Sequence, residues 1–467
     1  MKKTKIICSI GPASNEPDVM EQMVLAGMNV ARINFSHATE DEKKQVVASV
    51  HEVTKRTGKN IGILYDTKGP EFRSGKTETG EIKLVPGKEI RLVKEEVLGN
   101  EERFSVNHPQ AIDNLEVGSV VLLENGLMKI VVKSVEEDGV TCDIVNGGVL
   151  GDRKSLSVPG VKLDIPFISE QDREDIIYAC NHEGDFLALS FVSSKEDVLE
   201  AREILKEQNR EDLKIISKIE SMTGIENLDS IIEVSDGIMV ARGDLGVEVP
   251  MTMLPIYQKQ IIKKCREAGK ICIVATEMLE SMKKGARPTR AEVSDVANAV
   301  LDGTDAVMLS GETTTGHSPI ETVSFMANIC RDTENYYNHT FDYHEKVGIT
   351  ESIASSVVEC SKVMDVKVIV ASTVSGYSAK KISNLKPKSY ILATCTTEAV
   401  ARSLALNYGV YTTIVPLLDS TDKVIDMCIE EAKREFNLVT KDKIIITGGL
   451  PVNSDKRVTN FMKIEEI

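Results

Sequence analysis

The stretch KIISKIESMTGIENLDSIIEVSDGIMVARGD, residues 214–244, carries the rhythm from which the fold follows. Short β-branched runs at 214–220 and 237–243 flank an amphipathic segment. Each run ends in polar residues, Ser-Lys-Ile-Glu at 217–220 and Ala-Arg-Gly-Asp at 241–244. Outward from here the same unit recurs, with further strands expected at 5–10, 29–35, 61–66, 186–191, 271–276 and 306–310. Between them, stretches such as 40–57, 195–208 and 319–336 space apolar residues by three and four, the period of a helix with one buried face. Eight strands, most followed by a helix, predict a closed parallel (β/α)8 TIM barrel.

One crossover is too long for a helix alone. Between 66 and 186 the pattern turns to alternating runs at 80–85, 119–123, 129–135 and 140–145, punctuated by Glu-Asp-Gly and Asn-Gly-Gly turns. This predicts a small β-barrel lid inserted at 70–167, with Ser169 as the N-cap where helices resume. The barrel is therefore assigned to 1–69 and 168–345. Past 345 a second α/β rhythm begins, with a helix at 351–364 and strands at 366–371, 390–394, 443–447 and 458–464, predicting an open α/β sheet over 346–467.

Composition narrows the function. A formal net charge of −16 and the lack of any Trp argue against a nucleic-acid surface. No apolar run approaches the roughly 20 residues of a membrane helix. The opening MKKTKIICSIGP is interrupted by Gly11-Pro12 and reads as a first strand rather than a targeting segment. Nine cysteines with no CxxC pair read as unpaired thiols of a cytoplasmic protein.

Barrel enzymes carry their chemistry where the strands end. Strand two runs out as Ala-Arg-Ile-Asn-Phe-Ser-His (31–37), strand three as Tyr-Asp-Thr-Lys-Gly-Pro-Glu (65–71), and strand seven as Ala-Thr-Glu-Met (275–278). Alternation puts Arg32, Asn34 and Ser36 on one face, and Lys218 with Glu220 on another. Convergence of the strands then gathers Arg32, Asn34, Asp66, Lys218, Glu220 and Asp244. A lone Lys-x-Glu in a strand is usually a solvated face; five polar strand ends at one barrel mouth are not. Two carboxylates suit Mg²⁺, which keeps waters and substrate oxygens as its other ligands. The adjacent cations would neutralise a phosphoryl group in transfer. Gly69 and Gly75-Lys76-Thr77 only mimic a Walker A loop, because five residues separate the glycines where four are needed.

The segments CSIGPAS (8–14), GMNVARINFSHAT (27–39), DTKGPEFRSG (66–75), SVPGVKLDIP (157–166), IISKIES (215–221), IMVARGDLGVEVP (238–250), ATEMLESM (275–282) and RPTRAEVSDVANAVLDGTDAVMLSGET (287–313) resemble the pyruvate kinase family, in family order. The resemblance implies phosphoryl transfer from phosphoenolpyruvate to ADP, giving pyruvate and ATP, by a cytoplasmic homotetramer. It implies Arg32 on the substrate phosphate and Lys218 on the transferring phosphoryl group. Glu220 and Asp244 would hold Mg²⁺ (or Mn²⁺), and Asn34, Ser36, Asp66 and Thr67 would hold K⁺. Gly243, Asp244 and Thr276 would take the substrate carboxylate, with Thr276 supporting proton delivery. Arg73, Lys154 and His37 would reach the nucleotide. Glu71 stands where relatives independent of K⁺ carry lysine. A further lyase or mutase acting on phosphoenolpyruvate with Mg²⁺ is the alternative. Departures are Glu277 in place of the common Gln, and Thr223. No extra C-terminal domain of the kind some bacterial relatives carry is expected.

The loop after the first C-terminal strand, Ser372-Thr373-Val374-Ser375-Gly376-Tyr377-Ser378, gathers hydroxyls and a glycine before a helix. Such a turn cradles phosphate on free N–H groups. Thr373, Ser375 and Ser378 are thus expected to bind one phosphate of a sugar-phosphate or nucleotide effector. Val374 and Tyr377 replace basic residues of some relatives, so a second phosphate would look to Lys456 or Arg457.

Overall fold

The computed structural model describes residues 1–337, 348–451 and 458–467. Eight parallel strands close into a barrel: β1 (Lys5–Ser9), β2 (Val30–Asn34), β3 (Gly62–Asp66), β4 (Phe186–Leu189), β5 (Lys214–Ile219), β6 (Gly237–Ala241), β7 (Ile271–Ala275) and β8 (Ala306–Leu309). Six of them (β1, β3, β4, β6, β7 and β8) are buried along their whole length, as a sheet covered on both faces requires. The outer faces pack on helices, with Ile63, Ile215, Val274 and Leu309 in that layer. The inner faces fill the lumen with Ile7, Leu64, Phe186, Ile216, Met239 and Ile273.

Strand ends fall one or two residues short of expectation at β4, β6 and β7, for a local reason. Phe191, Thr276 and Glu277 take left-handed φ values of 57°, 68° and 53°, which turns the chain out of the sheet. Residues 242–243, expected in the sixth strand, instead open the short helix Arg242–Glu248. Ser36 is also corrected: β2 stops at Asn34, whose Oδ1 accepts the Ser36 N–H at 3.1 Å. Ser36 sits in a side-chain-closed turn rather than on the β2 pleat.

Helix Glu40–Thr57 ends on Gly58 at φ 67° and opens on a Thr39–Glu42 capping box. Ser169 caps Glu170–Asn181 as its position suggested, in a reciprocal box with Asp172.

The inserted segment builds its own core around Ile90, Leu92, Val121, Ile130, Val140 and Ile144. Its six-stranded sheet runs Leu156–Ser157, Val120–Leu123, Met128–Glu136, Gly139–Asn146, Glu89–Val93 and Arg103–Ser105 in spatial order, with Gly148–Gly151 pairing Glu81–Leu84 apart. The small inserted β-domain expected is present, in the form of a half-barrel. Its two edge strands, of two and three residues, each pair on one side only, and between them residues 73–74 make the single bridges Arg73–Ser155 and Ser74–Val106.

The C-terminal sheet has the order Val410–Ile414, Tyr390–Cys395, Val368–Ser372, Lys443–Gly448 and Phe461–Glu466, the last antiparallel. It docks at the N-terminal ends of the barrel strands, away from the polar strand ends. Leu406 joins the lumen cluster from below, and Arg402 Nε lies 3.1 Å from Asp185, just before β4. Lys386 pairs with Asp305, just before β8, with both side chains buried. All nine cysteines are unpaired. Among the described residues no helix is long and apolar enough to cross a membrane.

Candidate active site

The C-terminal strand ends converge on a cavity of ≈ 440 Å³ lined by Arg32, Asn34, Ser36, His37, Thr67, Lys218, Glu220, Asp244 and Thr276. At its base lies a charged network. Arg32 Nε donates to Asp66 Oδ2 at 2.6 Å, and its Nη1 donates to Ser9 Oγ at 2.7 Å. Lys218 Nζ meets Asp66 Oδ1 at 3.3 Å, Glu220 Oε1 at 3.1 Å and Ser190 Oγ at 2.7 Å. Pleat alternation explains the Lys218–Glu220 contact: two residues apart, they leave β5 on the same side.

Burial dominates the electrostatics. It would raise the Asp66 carboxyl, but Lys218 and Arg32 outweigh it and hold Asp66 below the ordinary range. Burial would likewise depress Lys218, and Asp66 and Glu220 instead raise it. Glu220 goes the other way. Burial pushes it up to about 7 against the pull of Lys218, with the Asp244 charge adding to the rise. A carboxylate so costly to ionise alone is one that gains from a cation. Its Oε2 accepts the Phe191 N–H at 2.7 Å, so the left-handed turn after β4 supplies the donor that aims it.

Among the described residues no three His, Cys, Asp or Glu side chains form a set that could hold a metal alone. Glu220 and Asp244 line the same cavity, and two carboxylates there could hold a divalent cation whose other ligands are substrate oxygens and water, the Mg²⁺ habit. The chain's expected K⁺ ligands separate in character. Asn34, Ser36 and Thr67 line the cavity, whereas both Asp66 oxygens are engaged by Arg32, Lys218 and Ser190.

Thr276 is fixed from several directions. Its hydroxyl accepts the Gly243 N–H at 2.8 Å and donates to the Ala275 carbonyl at 2.6 Å. Its own carbonyl accepts from Arg242 Nη2 at 2.7 Å, while Arg242 Nη1 is clamped by Asp295 at 2.7 and 2.6 Å. The first turn of helix Arg242–Glu248 thereby presents Gly243 and Asp244 beside Thr276.

Two further cavities adjoin. One of ≈ 460 Å³ lies between barrel and half-barrel, sharing Glu220, Asp244, Glu71 and Arg73 and adding Lys154 and Glu124. Here Arg73 makes a two-pronged pair with Glu71 at 2.9 and 2.5 Å, and Lys154 lies 2.7 Å from Glu124. The other, of ≈ 430 Å³, shares Arg32, Asn34 and His37 and has apolar walls from Ile10, Pro12, Ala38 and Val46.

Sequence reading missed Ser190, Arg242 and Phe191. Ser190 and Phe191 directly follow β4, one of the three strands, with β1 and β8, at whose ends no charged residue was read. Their function is in a hydroxyl and a backbone N–H, which leave no pattern. Arg242 was quoted but carries its role through Asp295, 53 residues away in sequence.

In the C-terminal sheet, Gly376 at φ 79° precedes the helix Tyr377–Asn384, and no side chain caps it. Ser375 is exposed, Thr373 is buried, and the buried Ser378 hydroxyl is bonded to Thr459 Oγ1 at 2.7 Å. Ser375 is thus the expected phosphate ligand open to solvent. Lys456 and Arg457 lie outside the described residues.

A (β/α)8 barrel with a covering half-barrel, whose mouth sets two cations against metal-ready carboxylates, defines a phosphotransferase. Residues 1–323 match the model of the pyruvate kinase barrel domain, and 351–465 that of the pyruvate kinase alpha/beta domain. The chain is 44% identical to the pyruvate kinase of Geobacillus stearothermophilus over 473 residues, covering 100% of this chain and 80% of that protein. It is 44% identical to that of Staphylococcus haemolyticus, covering 99% and 80%. A crystal structure of a pyruvate kinase from Cryptosporidium parvum superposes with a TM-score of 0.94 at 38% identity, covering 100% of this chain and 96% of that one. The chain belongs to the pyruvate kinase family.

Proposed function

We propose that the chain moves the phosphoryl group of phosphoenolpyruvate to ADP at the barrel mouth, giving pyruvate and ATP. The observation that carries this reading is Lys218, side chain 11% exposed, held between Asp66 and Glu220 beside Arg32. An ammonium so fixed meets charge as it develops, without reorganising.

Arg32, oriented by Asp66 and Ser9, binds the substrate phosphate. Gly243 and Asp244, in the first turn of helix Arg242–Glu248, where backbone N–H groups favour an anion, receive the carboxylate together with Thr276 from the end of β7. Glu220 and Asp244 are the residues that hold Mg²⁺ or Mn²⁺, which when bound draws charge from the carboxylate and phosphoryl oxygens. Asn34, Ser36, Asp66 and Thr67 hold K⁺. Once the phosphoryl group has left, the enolate needs a proton at its methylene carbon, and Thr276 and Lys218 are the proton-bearing side chains at that wall of the cavity.

Arg73 and Lys154 contact the nucleotide phosphates after exchanging their Glu71 and Glu124 partners for them. His37 and the apolar third cavity accept the base. Closure of the half-barrel over the barrel excludes water, which otherwise takes the phosphoryl group. Residues 1–69 with 168–345, 70–167 and 346–467 are taken as the three units, with the last binding a phosphorylated effector around Ser375. Cytoplasmic location and homotetrameric assembly belong to the same proposal, supported by family membership.

The test is ³¹P NMR of phosphoenolpyruvate with enzyme, Mg²⁺ and K⁺. Phosphoryl transfer consumes it only when ADP is added, with ATP appearing in equal amount. Consumption without ADP would favour the lyase or mutase alternative.

A further inference from the structure

Ser190, at the end of β4, is 2% exposed and belongs to none of the charged motifs. Its hydroxyl is nevertheless the nearest neighbour of the Lys218 ammonium, at 2.7 Å. An ammonium has three N–H donors, and Lys218 has three acceptors: Asp66, Glu220 and Ser190. Ser190 is the neutral one. The two carboxylates repel an incoming phosphoryl group and are wanted elsewhere, Asp66 by Arg32 and Glu220 by a divalent cation. A hydroxyl tethers the lysine without adding negative charge.

The direction of that tether is set by the backbone. The Ser190 hydroxyl has a single hydrogen, and the Thr67 carbonyl accepts it at 2.7 Å, with Asp66 Oδ1 farther away at 3.3 Å. The oxygen lone pairs are left facing Lys218. The Ser190 N–H donates to Thr67 Oγ1 at 3.2 Å, so the same residue is held twice to the segment leading from β3 into the half-barrel. Gly69, at φ +73°, presses on it. A methyl group there would stand 2.9 Å from both the Ser190 Cβ and its carbonyl oxygen. The Gly69 N–H is in turn held by Asp172 Oδ1 at 3.0 Å, where the chain returns from the half-barrel. Ser190 is thus held by its hydroxyl and its N–H to residues 66–67 and packed against Gly69.

We propose that Ser190 is a positioning residue for phosphoryl transfer, fixing the Lys218 ammonium and tying it to segment 67–69 at the base of the half-barrel. This rests on the role given to Lys218 above. The test is steady-state kinetics of Ser190→Ala and Ser190→Cys in the full chain, with thermal unfolding of each. Loss of one hydrogen bond to a charged group felt in the transition state lowers kcat by about 10- to 100-fold in Ser190→Ala. KM for phosphoenolpyruvate is expected to stay within about threefold, since Arg32 still binds the phosphate. Ser190→Cys, with a weak donor and acceptor, falls between. A kcat for Ser190→Ala equal to the parent's overturns the proposal. So does a fall in kcat matched by a rise in KM and a lower Tm, which is the mark of a packing role. If Lys218→Ala is also fully active, the functional reading fails; if only Ser190→Ala is, this inference alone fails.

Discussion

Replacing Lys218 with alanine removes the one ammonium positioned between Asp66 and Glu220. The magnitude follows from its surroundings. Two unit charges about 4 Å apart interact by about 4 kcal/mol at an effective dielectric near 20. Water entering the vacated space recovers part of this, leaving about 3 kcal/mol of lost transition-state stabilisation, or a kcat at least ~10²-fold lower. KM for phosphoenolpyruvate changes less, because Arg32 keeps its partners Asp66 and Ser9. The substitution also leaves the buried Glu220 carboxylate without its cation, while Asp66 keeps Arg32, and breaking such a pair costs about 3–5 kcal/mol of stability. Circular dichroism at the assay temperature must therefore show a folded variant before its rate is read. The assay couples pyruvate formation to NADH oxidation by lactate dehydrogenase at saturating ADP, Mg²⁺ and K⁺. A folded Lys218→Ala with the parent's kcat would refute the reasoning.

Strong K⁺ activation is expected, with partial independence from K⁺ in Glu71→Lys; because Glu71 also clamps Arg73 at 2.9 and 2.5 Å, that variant should show a raised KM for ADP as well. Full activity of the parent in buffer free of Na⁺ and K⁺ would contradict this. Burial pushes Asp185 up to about 6 despite Arg402 beside it. The folded state therefore holds a proton between about pH 4 and about pH 6 that the unfolded state has released, and stability falls as pH rises through that window by roughly 2–3 kcal/mol. Asp185→Asn lacks this slope, so urea midpoints of the two proteins should converge or cross in that range; parallel curves would exclude it. Ser375→Asp places a negative charge in the exposed loop before Tyr377–Asn384 and should abolish activation by a phosphorylated effector while sparing basal activity. A normal response in that variant would move the effector site elsewhere.

The barrel was legible because its strands are buried on both faces and so read as unbroken apolar runs, each stopping at a polar residue. Lys218, Glu220 and Asp244 were legible for the same reason: a charge at the end of such a run has few structural explanations. The half-barrel was read less fully. Strands Glu89–Val93 and Arg103–Ser105 were not read, since charged residues at 89, 91 and 103 break their apolar pattern. Its half-barrel form depends on which strands pair, which alternation does not report. Ser190 and Phe191 were invisible because their contributions come from a hydroxyl and a backbone N–H placed by local chain reversal. The engagement of Ser378 with Thr459 joins residues 81 apart and could be seen only in three dimensions.

The proposed sharing of a divalent cation between Glu220, Asp244 and the substrate is tested most directly by Mn²⁺ binding followed by electron paramagnetic resonance. Without a ligand Mn²⁺ should bind weakly, because no complete protein ligand set occurs among the described residues. Adding phosphoenolpyruvate without ADP should tighten binding at least ~10-fold, as substrate oxygens complete the coordination. Glu220→Gln should lose that tightening. Equal, substrate-enhanced Mn²⁺ binding in Glu220→Gln and the parent would contradict the account.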